Sequence, residues 1–305
     1  MKTTLRQEKG MVLLMVLVVI ALLASLTIEF AFSTLVDMRL VETFRDSTRA
    51  YYLAKGGVRV GQMILQDDTN GYDAESELWG QGIESYPVGQ GFVSVRIEDL
   101  GGRLDINRLV TAQGNIDVVF KERFLRLFED LGFDRPEALV DALIDWIDVD
   151  DEPEPEGAEN EYYVRLDSPY RCKNGRLDTL EELTMVRGFT AEIFRRLAPY
   201  LTVDGGDKIN VNTATIEVLI ALAEEMDLTA AEAIVAFRES APIVEVEELK
   251  DLPGLGELYW AINSHLRVTS PVYLIRAWGF VGDGSRSLEA RVRKADNRLL
   301  YIKVN

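Results

Sequence analysis

The densest group of chemically active side chains lies between Asp145 and Glu161. These seventeen residues contain nine Asp or Glu and no Lys or Arg. Carboxylates crowded on a loop repel each other unless a cation screens them, and hard oxygen ligands suit Ca²⁺, which takes about 6 to 8 of them. Pro153, Pro155 and Gly157 keep the second part of the stretch out of a helix. The D-x-D-x-D-G spacing of an EF-hand is absent, so the stretch predicts either another kind of calcium loop or a solvated acidic loop.

Other catalytic or metal chemistry has few residues to work with. The chain has one histidine, His265, and one cysteine, Cys172. Zinc sites with several histidines and internal disulfides are therefore excluded, and we expect no enzymatic activity. The net charge is −18, from 51 acidic and 33 basic residues. A body with that charge repels phosphates, so we expect no nucleic-acid partner.

The N-terminal residues have the pattern of a membrane anchor. Met11 to Ile28 is an apolar run of 18 residues, preceded by three basic residues, Lys2, Arg6 and Lys9. At about 1.5 Å per residue the run nearly crosses a hydrocarbon core, and Phe30 to Phe32 can lengthen it. The positive-inside rule places the N-terminus in the cytoplasm and exports the rest of the chain. We predict a transmembrane helix over residues 11–32, with a cleaved secretory signal as the alternative.

The elements that position the acidic stretch follow from the hydrophobic pattern. Ser33 to Gln66 keeps apolar residues at helical spacing, so a stem helix should continue from the anchor and be loosened at Gly56-Gly57. Alternating apolar and polar residues, bounded by turn signals, predict strands near both ends of the body. The four predicted strands are Phe92–Ile97, Val272–Val281, Ser287–Lys294 and Arg298–Val304.

Between the first two predicted strands, the apolar spacing is that of short helices. The predicted helices are Val118–Leu131, Glu137–Ile147, Leu177–Gly188, Ala191–Leu201, Thr215–Glu225, Ala230–Glu239 and Val246–Asp251. The expected fold class is α+β, in which the long N-terminal helix packs on a small antiparallel sheet that carries a large, mainly helical insert. The expected boundaries are 33–104 for the stem helix and first strand, 105–270 for the insert and 271–305 for the closing strands.

Gly10 followed by Met11 and a long apolar helix resembles a prepilin-type leader. The resemblance implies that prepilin peptidase cuts between these two residues, that residues 1–10 are removed, and that the new N-terminus at Met11 is methylated. Such proteins usually carry glutamate at the fifth mature position, where this chain has Met15. The protein K family, minor pseudopilins of type II secretion systems, characteristically lacks that glutamate. A plain signal anchor is the alternative.

Two internal stretches resemble the same family. The first is the run from Leu143 to Tyr163, followed by Pro169-Tyr170-Arg171 and Leu180–Leu183, and the second is Ile209–Ala214. With the leader, the similarity spans nearly the whole chain. It implies a pseudopilin fold whose inserted domain is of the SAM-like or helix-hairpin-helix-like type.

The resemblance also implies a role and partners. The protein would stand at the tip of the periplasmic pseudopilus, initiate its assembly and support protein export across the outer membrane. Its partners would be minor pseudopilins of the I and J kinds, the major pseudopilin and prepilin peptidase. It would cross the bacterial inner membrane once, with the body in the periplasm. Calcium is the implied structural ion, with five candidate ligands, Asp148, Asp150, Glu152, Glu159 and Asn160.

The stretch Leu252-Pro-Gly-Leu-Gly256 resembles the hairpin of helix-hairpin-helix DNA-binding modules, and Ile209 to Gly256 is similar to competence-type DNA receptors. A membrane-anchored DNA receptor or a type IV minor pilin is therefore the alternative function. From Asp207 to Arg267, twelve acidic residues stand against four basic ones, a local charge of −8. Because that field opposes phosphate binding, we expect the hairpin to be a packing element.

Overall fold

The computed structural model describes residues 4–305, with side chains described from residue 10 onward. One continuous helix, α1 (Thr4–Asp67, 64 residues), contains both the anchor and the stem. Its apolar part is long enough to cross a membrane, and none of that window is buried within the described protein. The predicted long helix is confirmed. Of the three basic residues that set the predicted orientation, Lys2 and the side chains of Arg6 and Lys9 lie outside the described part.

The remaining elements follow in chain order. Between α1 and the insert lie α2 Leu78–Gln81, β1 Ile83–Val88 and β2 Gly91–Asp99. The insert contains β3 Leu104–Asp105, α3 Val118–Asp130, α4 Pro136–Ile147, α5 Asn160–Tyr163, α6 Ala191–Leu197, β4 Leu201–Thr202, β5 Ile209–Asn210, α7 Ile216–Ile220, α8 Leu228–Ser240, α9 Leu258–Ile262 and β6 Leu266–Arg267. The chain closes with β7 Val272–Val281, β8 Gly284–Arg293 and β9 Arg298–Val304.

A five-stranded antiparallel sheet, in the order β1-β2-β7-β8-β9, carries α1 on one face. β7 and β9 have the predicted bounds, whereas β8 begins at Gly284 because the turn before it uses only Gly282 and Asp283. β1 was not predicted. It is an edge strand whose side chains are nearly all exposed, so it lacks the apolar alternation that marks a half-buried strand.

Four of the predicted helices are shorter or tighter in the structure. The one predicted at Thr215–Glu225 is α7, which covers only Ile216–Ile220. Ala191–Leu201 ends as an α-helix at Leu197, and Leu201 begins the short strand β4. The segments predicted as Leu177–Gly188 and Val246–Asp251 contain 3₁₀-helices instead, at Leu180–Met185 and Val246–Asp251. Each is six residues long, about two turns of 3₁₀-helix, and begins with a capping box whose N3 residue is Glu182 or Glu248.

Two separate hydrophobic cores divide the body. In one, Val58 and Leu65 of α1 pack against sheet residues such as Ile275. In the other, the insert buries its own set, including Phe128 of α3 and Trp146 of α4. The insert occupies the chain between β2 and β7, so the sheet is built from both ends of the body, and the predicted α+β class is confirmed.

The helix lies very close to the sheet at Gly57. A Cβ at this position would come 2.9 to 3.0 Å from carbon atoms of Val93, Val95 and Ala277. The prediction that Gly56-Gly57 loosens the helix is therefore wrong: α1 continues through both residues, and Gly57 permits the close approach. Its neighbour Gly56 has no heavy atom within 4 Å of the same position.

Replacing Gly57 with Leu is expected to lower the free energy of unfolding by about 1 to 3 kcal/mol, because the added atoms have no space. The matched variant Gly56→Leu should be neutral, or more stable by up to about 1 kcal/mol, since a helix favours Leu over Gly. Denaturant unfolding of the full chain in detergent measures both. Equal losses from the two variants would contradict this account of the helix–sheet contact.

Candidate metal centre

Three buried carboxylates meet where α4 ends. Asp145 lies in the last turn of α4, Asp148 is the residue that caps its C-terminus, and Glu159 precedes α5. One carboxylate oxygen from each lies within 4.8 Å of those of the other two. Asp145 and Asp148 share a helix face because they are three residues apart, and the loop between α4 and α5 brings Glu159 back to them.

Four carboxylate oxygens in this cluster lack a hydrogen-bond partner among the described residues. Asp145 Oδ2, Asp148 Oδ1 and both carboxylate oxygens of Glu159 are buried and accept no hydrogen bond from the described residues. Asp145 Oδ1 is satisfied, since it accepts a hydrogen bond from the Glu154 backbone N–H at 3.0 Å. Buried carboxylate oxygens are normally hydrogen-bonded or bound to a metal. An all-oxygen set of this kind fits Ca²⁺ better than softer metals.

Burial makes three charges here costly. It raises the pKa of Asp145 to about 6. Burial, with repulsion from neighbouring carboxylates, raises the pKa of Asp148 to about 7 and that of Glu159 to about 7. A divalent cation would offset both the desolvation and the repulsion, which couples ion binding to folding of the loop.

The structure brings together two of the five candidate ligands, Asp148 and Glu159. Asp150 and Glu152 are exposed, and Asp150 Oδ1 accepts a hydrogen bond from the Glu152 backbone N–H at 2.9 Å. Asn160 Oδ1 accepts a hydrogen bond from the Cys172 backbone N–H at 3.0 Å. Asp150 and Glu152 therefore lie outside the cluster, and the side-chain oxygen of Asn160 is engaged by the protein backbone.

The third member of the cluster, Asp145, was missed from the sequence because it was assigned to the helix alone. Its spacing of three residues from Asp148 was the available signal. A Cβ on Gly157 would collide with the Asp145 carboxylate, so only glycine lets the loop backbone lie so near. Arg187 holds that turn by donating to the Gly157 carbonyl oxygen at 2.7 Å.

Cys172 lies directly behind the cluster. Its thiol is buried and donates to the backbone carbonyl oxygen of Asp145 at 3.3 Å. Burial raises the pKa of Cys172 to about 12, so the group remains a thiol at neutral pH.

In a second group of carboxylates, Asp68, Asp73 and Glu77, two members pair with a lysine of the protein and the third accepts hydrogen bonds from neutral groups. Lys294 Nζ lies 2.8 Å from Asp68 Oδ2 and 2.5 Å from Asp73 Oδ1. The ammonium group occupies the position that a cation would take, so this group offers no comparable metal site.

The hairpin at Leu252–Gly256 packs inside the insert. Leu255 is buried, and Gly254, at φ +82°, lies against Ala230 of α8. Arg238, which belongs to the stretch similar to DNA receptors, donates to the backbone carbonyl oxygens of Val211 and Ala214, both at 2.7 Å. That arginine is engaged within the protein, in agreement with a packing role for the hairpin.

The stem below the sheet is an exposed apolar surface. Gly282 and Gly284 of the β7–β8 turn lie against Asp46 of α1, and this contact marks where the sheet ends along the helix toward its N-terminus. Below it, large apolar side chains are exposed on all sides of the helix; they are Leu35, Val36, Met38, Leu40, Val41 and Phe44. A monomer in water rarely leaves such a surface uncovered, so the stem has the character of an interface.

The leader junction makes no packing contact. Gly10 and Met11 lie within α1, both exposed, and a Cβ on Gly10 would have no heavy atom within 4 Å. Met15 is exposed on the same helix. The fold therefore gives no reason for glycine at position 10, where it costs a helix about 1 kcal/mol relative to Ala.

Comparison with known proteins points in one direction. Two family models, each described as type II secretion system (T2SS), protein K, match residues 102–205 and 209–269. A Pectobacterium carotovorum subsp. carotovorum protein named type II secretion system protein K is 31% identical, over 68% of this chain and 67% of its own length. A protein of the same name from Aeromonas hydrophila is 27% identical, over 98% of this chain and 97% of its own.

Among solved structures, the chain is similar to one in the crystal structure of the GspK-GspI-GspJ complex from the enterotoxigenic Escherichia coli type 2 secretion system. The TM-score is 0.69 over 90% of this chain and 99% of that chain, at 17% sequence identity, which shows the shared fold. The two models together match more than half of the 305 residues. The chain belongs to the type II secretion system protein K family.

Proposed function

We propose that this protein is the minor pseudopilin at the tip of a periplasmic pseudopilus, where it initiates assembly. The observation that carries the proposal is Met15, at the fifth position of the mature chain. In a bundle of such helices, a buried glutamate at that position pairs with the amino terminus of the subunit above. A tip subunit has no neighbour above, and an unpaired buried charge would be costly.

The bulk of the insert supports the same position. It lies beyond the sheet, with its own core, and adds more than 150 residues to a small helix-and-sheet unit. A subunit placed above it would have to pass this mass to reach the helix bundle. The proposed role is structural and needs no catalytic group.

The proposed topology follows from the anchor and its flanking charges. Residues 11–32 would cross the inner membrane, with the N-terminus in the cytoplasm and the body in the periplasm. The family and the long apolar helix are consistent with an inner-membrane anchor. Prepilin peptidase would meet the Gly10–Met11 bond at the cytoplasmic face.

The proposed partners are minor pseudopilins of the I and J kinds, with the major pseudopilin below them. The support is the exposed apolar stem, whose surface is suited to packing against other helices. The structural relative was solved together with GspI and GspJ. Phe44, at the end of the exposed stem nearest the sheet, is 75% exposed.

Replacing Phe44 with Lys is expected to reduce co-purification with the I and J partners by at least about tenfold, because a buried aromatic anchor is worth 2 kcal/mol or more at an interface. The variant should keep its own stability, since the side chain packs on nothing in the monomer. Leu228→Lys, at an exposed position of the insert, is the matched control and should bind normally. If Phe44→Lys binds both partners at wild-type level, the stem interface is wrong.

We also propose that the carboxylate cluster holds a structural calcium ion. Asp145, Asp148 and Glu159 would supply side-chain oxygens, and their lack of other partners supports the assignment. Bound calcium would supply positive charge that neutralises the loop. The protein also holds the loop near α4 directly, because Arg187 donates a hydrogen bond to the Gly157 carbonyl oxygen.

A further inference from the structure

Two bodies with separate cores are joined by only two crossings of the chain, after β2 and before β7. Such bodies move relative to each other unless a large apolar interface or a specific contact holds them. At the crossings lies a cluster of four buried polar residues, which we call the junction node: Asp73, Asp99, Asn210 and Ser270. They come from four separate segments, namely the linker after α1, the end of β2, strand β5 of the insert and the residues before β7.

Asn210 is the centre of the node. Its side-chain NH2 group, which has two hydrogens, lies within hydrogen-bond distance of three acceptors: the Asp73 carbonyl oxygen at 3.0 Å, Asp99 Oδ2 at 3.1 Å and Ser270 Oγ at 2.9 Å. Its Oδ1 accepts from the Asn212 backbone N–H at 3.0 Å, which fixes the orientation of the amide. One insert side chain thus contacts the stem linker, the entry strand and the exit strand.

The two acids extend the node into both bodies. Asp99 Oδ1 accepts from the Gly101 backbone N–H at 2.6 Å, and its Oδ2 accepts from the Thr213 hydroxyl. Asp73 Oδ2 accepts from the Ser270 backbone N–H at 2.6 Å, while its Oδ1 pairs with Lys294 at the end of β8. Each of these four carboxylate oxygens therefore has a hydrogen-bond or ion-pair partner, as a buried polar network requires.

Two glycines allow the segments to approach this closely. A Cβ on Gly101 would collide with the Ser270 side chain, and one on Gly102 would lie 2.5 Å from the Thr213 hydroxyl oxygen. Further out, insert and sheet are linked by ion pairs, Arg291 with Asp204 at 2.5 Å and Lys303 with Glu181 at 2.9 Å. The second pair is exposed, so it contributes little and is screened by salt, whereas Arg291 is largely buried. The node is therefore the buried polar link at the chain crossings, and Arg291 provides another one further out.

We propose that the junction node sets the orientation of the insert relative to the stem helix, with Asn210 as the positioning residue. The proposal rests on the geometry of this junction and does not depend on the assigned role of the protein. It assigns a mechanical purpose to Asn210 and Thr213 within the stretch Ile209–Ala214.

The test is a distance distribution between two spin labels on the full chain in detergent micelles. The labels are placed at the exposed positions Lys55→Cys on α1 and Glu232→Cys on α8, in a Cys172→Ala background. The unmodified node should give one narrow distribution. Asn210→Leu keeps the approximate size of the side chain and removes its hydrogen bonds. The distance distribution should then widen at least about twofold, because the insert can move more freely about the two chain crossings.

Asn212→Leu is the matched control. Asn212 is also buried, but it exchanges hydrogen bonds with the backbone of Ile243, both at 2.9 Å, within the insert. This variant should lose stability and keep the narrow distribution. A narrow distribution in Asn210→Leu, or equal widening in both variants, would overturn the proposal.

If Asn210→Leu does not fold, Ser270→Ala replaces it as the test variant. Removing this one acceptor should widen the distance distribution, and an unchanged width would count against the node.

Discussion

Chelation of calcium from the purified full-length protein is expected to lower its Tm by about 5 to 10 °C. An ion present at a hundred times its Kd stabilises the folded state by about 2.7 kcal/mol, and 1 kcal/mol corresponds to about 2 to 4 °C for a body of this size. The physical reason is the cluster itself: its members are buried, and four of its oxygens have no partner among the described residues. Differential scanning fluorimetry with EGTA, followed by return of Ca²⁺, measures the effect.

Two matched variants separate a specific site from general acidity. Glu159→Gln removes a charge inside the cluster, and Glu152→Gln removes one from the same loop outside it. We expect the first variant to lose the calcium response and to melt no lower than wild type in EGTA, because buried like charges no longer repel. The second should respond as wild type does. A wild-type response in Glu159→Gln, or none in the wild type, would remove the metal site.

The second large effect is expected at the leader. Gly10→Val should abolish cleavage, so that protein isolated from membranes keeps residues 1–10 instead of beginning at a methylated Met11. The substitution should not disturb folding, since a Cβ at this position meets no heavy atom within 4 Å. A glycine that the fold does not need is consistent with recognition by an enzyme. Intact mass and N-terminal sequencing distinguish the two products.

Gly56→Val is the control for this experiment. It places the same substitution at another helical glycine with no heavy atom within 4 Å, and its leader should be removed normally. If the Gly10→Val protein also begins at Met11, or if the wild type keeps its leader in a strain with active prepilin peptidase, the prepilin interpretation fails. The plain signal anchor would then be the better account of the N-terminal segment.

Several parts of the fold could be predicted because their signals are local. The continuous apolar run and the helical spacing that follows it predicted α1 to within one residue of its end at Asp67. Strong alternation of apolar and polar residues predicted β7 and β9 with their observed bounds. Pro136 at the first position marked the start of α4. Each signal depends on neighbours within a few residues, which propensity and periodicity describe well.

Where the local signal is weak, the structure was needed. The edge strand β1 has no alternation, because its side chains face solvent on both sides. The two 3₁₀-helices have helical composition, and only the structure shows that they are tight and six residues long. At Gly56-Gly57 the sequence indicates flexibility, whereas the sheet beneath Gly57 makes it a contact residue.

The amino-acid sequence by itself determined the long apolar N-terminal helix, the α+β class, the acidic character of the α4–α5 loop and, through its motifs, the family. The tertiary structure alone decided which carboxylates meet, bringing Asp145 to Asp148 and Glu159 while leaving Asp150 and Glu152 in solvent. It alone revealed that Asn210 contacts segments as far as 137 residues away in the chain. The reason is physical: composition and periodicity act over a few residues, whereas ligand sets and junctions form between segments whose distance in space is set by the packing of both cores.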